Sequence, residues 1–134
     1  MYYNVISSNS PTKATDKPLK ILLDLIGNED CITIGRCGNY IFRNRDDLTS
    51  VFLKGNLVTR ISNIQDEKNM SKTKAEDFVS DEDDCRIRYH KYYTGLTWGN
   101  ACDYDLCLDS CKLGTEQTAA MIEQYIDLTN KKTE

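Results

Sequence analysis

No glycine-rich phosphate loop occurs in these 134 residues. The pattern Gly-x-x-x-x-Gly-Lys is absent, and the first glycine is Gly27, at the end of an apolar stripe with helical spacing. Such a loop cradles phosphate oxygens with backbone N–H groups at a helix N-terminus, so the chain lacks that device. A surplus of positive charge is missing too. Seventeen Lys and Arg face 21 Asp and Glu, for a net charge of −4. That argues against a nucleic-acid polymer as partner, because polymer binding needs a basic face. Single basic sites remain open, since net charge does not describe them.

No apolar run approaches the roughly 20 residues of a membrane-spanning helix, so no membrane partner is expected. The opening MYYNVISSNS has neither the basic start nor the apolar core of a secretory signal. The expectation is a cytoplasmic chain with its six cysteines reduced. Histidine is nearly absent. His90 stands alone, remote in sequence from Cys102, Cys107 and Cys111, whose spacing does not match a C-x-x-C knuckle. No metal site is expected, and His90 reads as a lid or surface residue because no orienting partner for a catalytic base can be named.

What is present is an α/β pattern in one domain, residues 1–134. Tyr2 to Ile6 is a candidate short strand after which the chain is polar and irregular to about residue 15. Pro18 suits the first turn of a helix whose apolar stripe is Leu19, Leu22, Leu23 and Ile26, with Gly27 as its C-cap. Cys31 to Ile34 reads as a buried parallel strand, running directly into Gly35-Arg36 and a short helix near 37–42. Ser50 to Leu53 is the next strand. Asn56 caps a helix with Leu57, Val58, Ile61 and Ile64 on one side. Ser71 caps a polar helix that runs, with or without a break, to the stop at Thr94-Gly95. A strand at 104–108 and a helix over 115–128 complete the order.

Only six arginines occur, all between residues 36 and 88. They are Arg36, Arg43, Arg45, Arg60, Arg86 and Arg88. Scattered surface charge accounts for such a set easily. A convergent phosphate site is the sharper reading, since guanidinium forks match phosphate oxygens. Arg36 supports it best, because it follows a strand and so lies at the edge where open α/β sheets bind ligands. The densest segment is 83–99, DDCRIRYHKYYTGLTWG, which joins two arginines to four tyrosine-type and tryptophan rings before and after a Thr-Gly turn. The acidic run 76–84 reads as a solvated helix face. Asp105 and Asp109 read as turn or cap residues, or as contacts to magnesium or nucleotide.

These residues carry a resemblance. The strand ending in Gly35-Arg36-Cys37, the Arg60 helix, the string Asp83, Arg86, Tyr89, Tyr92, Tyr93, Thr94, Gly95, the pair Trp98-Gly99, and Tyr104-Asp105-Leu106 leading to Ser110 and Leu113-Gly114 resemble the cytidylate kinase-like family of nucleoside monophosphate kinases. The likeness runs from about Leu19 into the last helix. It implies a parallel-sheet P-loop kinase-like sandwich, incomplete at its N-terminus, with a helical lid over residues 66–100. It further implies ATP- and Mg2+-dependent phosphoryl transfer to a nucleoside monophosphate such as CMP or dCMP. Arg36, Tyr89 and Tyr93 would bind the acceptor, Arg86 and Arg88 would neutralise the moving phosphoryl, and Arg60 would contact the ATP side. Asp84 and His90 depart from the family string.

The resemblance also implies that the family's central first strand is missing, leaving two strands with unpaired backbone groups. Tyr2 to Ile6 fills that gap, or another chain does, either a second copy or a complementing N-terminal chain. The isolated chain is therefore expected to be marginal and prone to associate. Activity of the chain alone is not expected. The other readings are a mononucleotide-binding module without catalysis, and a remnant that serves as an interaction protein.

Overall fold

A computed structural model describes residues 2–6, 17–26 and 29–130. The first strand, β1 (Tyr2–Ile6), leads to α1 (Lys17–Ile26), β2 (Cys31–Thr33) and the one-turn α2 (Gly38–Ile41). Then follow β3 (Leu48–Lys54), α3 (Leu57–Lys68), α4 (Lys72–Thr94), a 3₁₀ turn at Ala101–Asp103, β4 (Leu106–Asp109) and α5 (Ser110–Asn130). The expected irregular lead-in and the Gly27 cap lie outside the described residues.

The four strands form one sheet in the order β2-β1-β3-β4. β1 occupies the interior position that the sequence left open, paired on both sides: Asn4 opposite Thr33 and, on its other edge, opposite Ser50. Its direction corrects the expectation of a parallel sheet. β1 runs antiparallel to both neighbours, and only β3 and β4 pair in parallel, Val51 opposite Leu106 and Phe52 opposite Cys107. The sheet is mixed because period-two hydrophobicity fixes a strand's faces and leaves its direction open.

Two apolar clusters flank the sheet. On one, Ile26 of α1 packs with Ile41 and the fully buried Phe42, joined by Leu22, Leu23, Cys31 and Leu48. The other is the α3–α4 hairpin, where Ile61, Ala75 and Val79 pack with Ile64 and Met70. Sequence signals set the hairpin's ends. The Asn56 side chain accepts from the Thr59 N–H at 2.8 Å, and Ser71 Oγ accepts from the Lys74 N–H at 3.4 Å. Gly95, at φ 72°, closes α4 with its N–H on the Lys91 carbonyl.

α4 runs unbroken for 23 residues, since nothing between Lys72 and Thr94 is a glycine or proline. The last helix starts earlier than the sequence suggests. Ser110–Leu113 already turns helically, and the chain kinks at Gly114 (φ 76°, ψ 171°) before resuming.

Candidate functional site

The carboxyl end of β3, the inner faces of α3 and α4, and one side of α5 enclose a cavity of about 760 Å³. This is within the range of small-ligand sites. Its floor is apolar and partly aromatic. Phe52 packs edge-on against Trp98 with centroids 5.5 Å apart, and Tyr104, outside the cavity lining, lies 5.2 Å from Phe52. Ile122 and Ile126 of α5 form the opposite wall. Gly99 permits this packing. Its φ is +77°, and a Cβ there would stand 3.0 Å from Phe52 Cζ.

The rim is charged. Arg60 on α3 and Arg86 on α4 both line the cavity, together with Glu82, Asp83 and Lys54. Arg60 Nη2 donates to Asp83 Oδ1 at 2.6 Å, across 23 residues of sequence. Arg86 Nη1 donates to the same Oδ1 at 3.4 Å, and its Nη2 to Glu82 Oε2 at 3.0 Å. The acidic run is thus divided in function. Glu76, Asp77, Asp81 and Asp84 face solvent, whereas Glu82 and Asp83 turn into the cavity wall.

A second group lies one turn further along α4. The loop after β2 places Gly35, Arg36 and Cys37 in the left-handed region in succession, at φ 68°, 56° and 57°. This backbone is strained for the two non-glycine residues. It carries Arg36 to α4, with its guanidinium 5.7 Å from the centroid of the Tyr89 ring. Tyr89 packs in turn on Tyr93 at 4.6 Å, and Tyr93 meets Tyr92 edge-on at 4.9 Å. Burial raises the Tyr89 phenol above its ordinary pKa. The Cys37 thiol adds to this, while the hydrogen bond and charge of Arg36 pull the other way. Burial also pushes Cys37 up to about 11, against a smaller opposing effect of Arg36. At neutral pH it stays a thiol, unsuited to nucleophilic attack.

The structure therefore brings Arg60 to Arg86, and Arg36 to Tyr89 and Tyr93. It does not bring Arg88 to either group. Arg88 is exposed and donates only a long contact, 3.8 Å, to Cys85 Sγ. Arg36 does not line the cavity that holds Arg60 and Arg86, although Tyr89 follows Arg86 by one helical turn. Asp83 was legible as part of a motif but not as the partner of Arg60, because a carboxylate in a charged run looks like any solvated one. His90 is no surface residue: it is 3% exposed. Burial lowers its pKa, and the nearby Asp103 carboxylate opposes that in part.

Asp105 and Asp109 act as local fasteners. Asp109 Oδ1 accepts from the Lys112 N–H at 3.2 Å and caps the first turn of α5. Asp105 binds Ser50. No group of three or more His, Cys, Asp or Glu side chains among the described residues is placed to hold a metal ion. No helix among them is long and apolar enough to cross a membrane.

Fold and site define a mixed α/β domain with an arginine-rimmed cleft beside the carboxyl end of a parallel strand pair. The chain belongs to the cytidylate kinase-like family, whose model matches residues 1–112. The match starts ahead of Leu19, where the sequence resemblance was read to begin, and stops short of most of α5. A crystal structure of an uncharacterized protein from Eubacterium ventriosum ATCC 27560 is similar, with a TM-score of 0.67 and 27% identity. The similarity covers 69% of this chain and 52% of that one, so the chain spans about half the length of that structure. No curated protein matches the chain.

Proposed function

We propose that this chain is the acceptor-binding part of a nucleoside monophosphate kinase, and that on its own it binds a mononucleotide of the CMP or dCMP type without turning it over. The observation that carries this reading is the strained left-handed loop that delivers Arg36 to the Tyr89 ring of the motif helix. Backbone strain of this kind persists where the surroundings over-determine it, and it clusters at ligand sites. An aromatic ring beside a guanidinium offers a base a stacking face and a phosphate a charged fork. Tyr93 extends the aromatic face.

In this reading Arg60 and Arg86 serve the donor side. The complete reaction moves the γ-phosphoryl of ATP to the acceptor phosphate, with charge spread over the transferred oxygens. Arginine rims suit that chemistry through electrostatic stabilisation. Arg88 would join only after α4 moves, since it now faces solvent. ATP fits the described residues only in part: the cavity offers volume, rings and two arginines, but these 134 residues contain no glycine-rich loop to hold a triphosphate. The described residues form no protein cage for Mg2+, which would arrive with the nucleotide, as that ion commonly does through phosphate oxygens.

Calorimetric titrations with CMP and ATP, run separately, test the proposal, alongside an ATP-dependent phosphorylation assay over a panel of monophosphates. CMP is expected to bind, ATP to bind more weakly, and no monophosphate to be turned over. Arg36→Ala is expected to weaken CMP about tenfold or more. Absence of CMP binding, or an Arg36→Ala variant that binds CMP as well as the parent, would refute the acceptor assignment. Turnover by the chain alone would refute the binding-only reading.

A further inference from the structure

β1 fills the interior of the sheet, so the open backbone groups of the described strands lie at the two outer edges. Those edges differ. β4 is guarded by charge, with Asp105 just ahead of it and Asp109 as its last residue. β2 carries no such guard. The run Cys31-Ile32-Thr33-Ile34 holds no charge, proline or glycine. Among the described strands only β1 pairs with β2. Its two faces are unequal. Cys31 and Thr33 turn inward, Cys31 onto the α1 cluster. Ile32, and Ile34 just past the end of the strand, fall on the other face by alternation. They are 66% and 55% exposed. An uncharged, β-branched edge of this kind is a template for one more strand.

The charges that flank β2 select the occupant. Glu29 and Asp30, both exposed, precede the strand. Arg36 follows it and is exposed beyond its contact with the Tyr89 ring. A second copy of the chain, laid antiparallel along the edge, sets each acidic end against the other copy's basic end. A parallel copy would set like charges together, which is destabilising. We propose that β2 is the contact of a symmetric dimer, in which two copies pair antiparallel, edge to edge, about a two-fold axis at Thr33. In that register Ile32 lies opposite the partner's Ile34 and Asp30 opposite the partner's Arg36, and symmetry repeats both pairs. Each copy uses up the other's open edge, so assembly closes at two chains. The strand is short, which places the contact among the weak, reversible interfaces rather than the obligate ones. The inference concerns the sheet edge alone and requires no nucleotide.

Sedimentation equilibrium of the full chain over a wide range of concentration tests this, at low ionic strength because exposed charges are screened by salt. The parent chain is expected to pass reversibly from monomer to dimer and to stop there. Ile32→Lys is expected to raise the dissociation constant about tenfold or more. Its urea midpoint should match that of the parent, since Ile32 stands largely in solvent. Asp30→Arg should weaken the dimer about fivefold, through two exposed charge pairs. Adding Arg36→Asp to that variant should restore the parent constant to within about twofold, because the exchange rebuilds both pairs with the signs reversed. This rescue also carries the test should Ile32→Lys fail to fold. A parent chain that stays monomeric throughout overturns the inference. So does growth beyond two chains, or a folded Ile32→Lys variant that pairs as tightly as the parent. A charge-exchanged chain that pairs no better than Asp30→Arg alone overturns the antiparallel register.

Discussion

Asp105 and Ser50 fasten the start of β4 to β3 by bonding each other in both directions. The Asp105 carboxylate accepts from the Ser50 N–H and from Ser50 Oγ, each at 2.7 Å, while the Asp105 N–H donates to the Ser50 carbonyl at 2.9 Å. Ser50 is buried in the centre of the sheet. Its amide and hydroxyl have their acceptor in a side chain 55 residues away.

Asp105→Ala removes that acceptor and leaves a buried donor pair unpaired. The expected cost is about 1–3 kcal/mol of folding stability. Urea denaturation followed by Trp98 fluorescence measures it. A loss below about 0.5 kcal/mol would show that water replaces the carboxylate without penalty.

Arg36 should show a trade between stability and binding. Its φ of 56° costs a side-chain-bearing residue about 1–2 kcal/mol, part of which a glycine would recover. Arg36→Gly is therefore expected to raise stability by about 0.5–1 kcal/mol, after the entropy that glycine adds to the unfolded chain. The same variant should lose CMP affinity. Thermal melts and calorimetry on one preparation check both, and a destabilised Arg36→Gly would mean that the Tyr89 contact outweighs the backbone strain.

The buried His90 makes stability depend on pH below neutrality. Its folded pKa is lowered from 6.5 chiefly by burial, so in acid the unfolded chain takes up a proton that the folded chain refuses. The contribution is fully present above pH 6.5 and is lost progressively as the pH falls from 6.5 toward the lower folded value. The urea midpoint should drop between pH 7.5 and 5.5, and His90→Gln should flatten that slope. An identical slope in the variant would assign the effect to other groups.

Gly55 and Cys111 fill one space. A Cβ on Gly55 would fall inside the van der Waals radius of Cys111 Sγ, with Arg60 Cγ 3.4 Å away. Gly55→Ala should cost about 1–3 kcal/mol through overpacking. Cys111→Ala in the same chain should restore most of that loss, giving a coupling of about 0.5–3 kcal/mol in a double-mutant cycle. Additive losses would show that β3 and α5 separate at this point rather than press together.

Local chemistry made much of the architecture readable. Asn56, Ser71 and Gly95 are caps by residue type, and each caps where the sequence places it. The stripe of Leu22, Leu23 and Ile26 finds its core. What the sequence hid was relational. The direction of β1 depends on its neighbours, and nothing in five residues encodes that choice. The meeting of Arg60 with Asp83 depends on the hairpin between them, formed by Ile61, Ala75 and Val79 far more than by the charges. Arg88 and Arg86 are near neighbours in the string, yet a helix turns residues two apart to different sides, so one lines the cavity and the other meets solvent.

The placement of β1 has a consequence for how the chain is made. Tyr2–Ile6 precede both of their partners in the chain yet form an inner strand, and their second neighbour is complete only when Lys54 has been synthesised. Until then the nascent segment can form no more than a lone two-stranded pair with β2 across α1, which is marginal in water. Removing Tyr2–Ile6 after folding would have the matching effect: β2 would lose its only ladder among the described strands, and the cluster of Ile26, Cys31, Phe42 and Leu48 alone would hold α1 and β2 to β3.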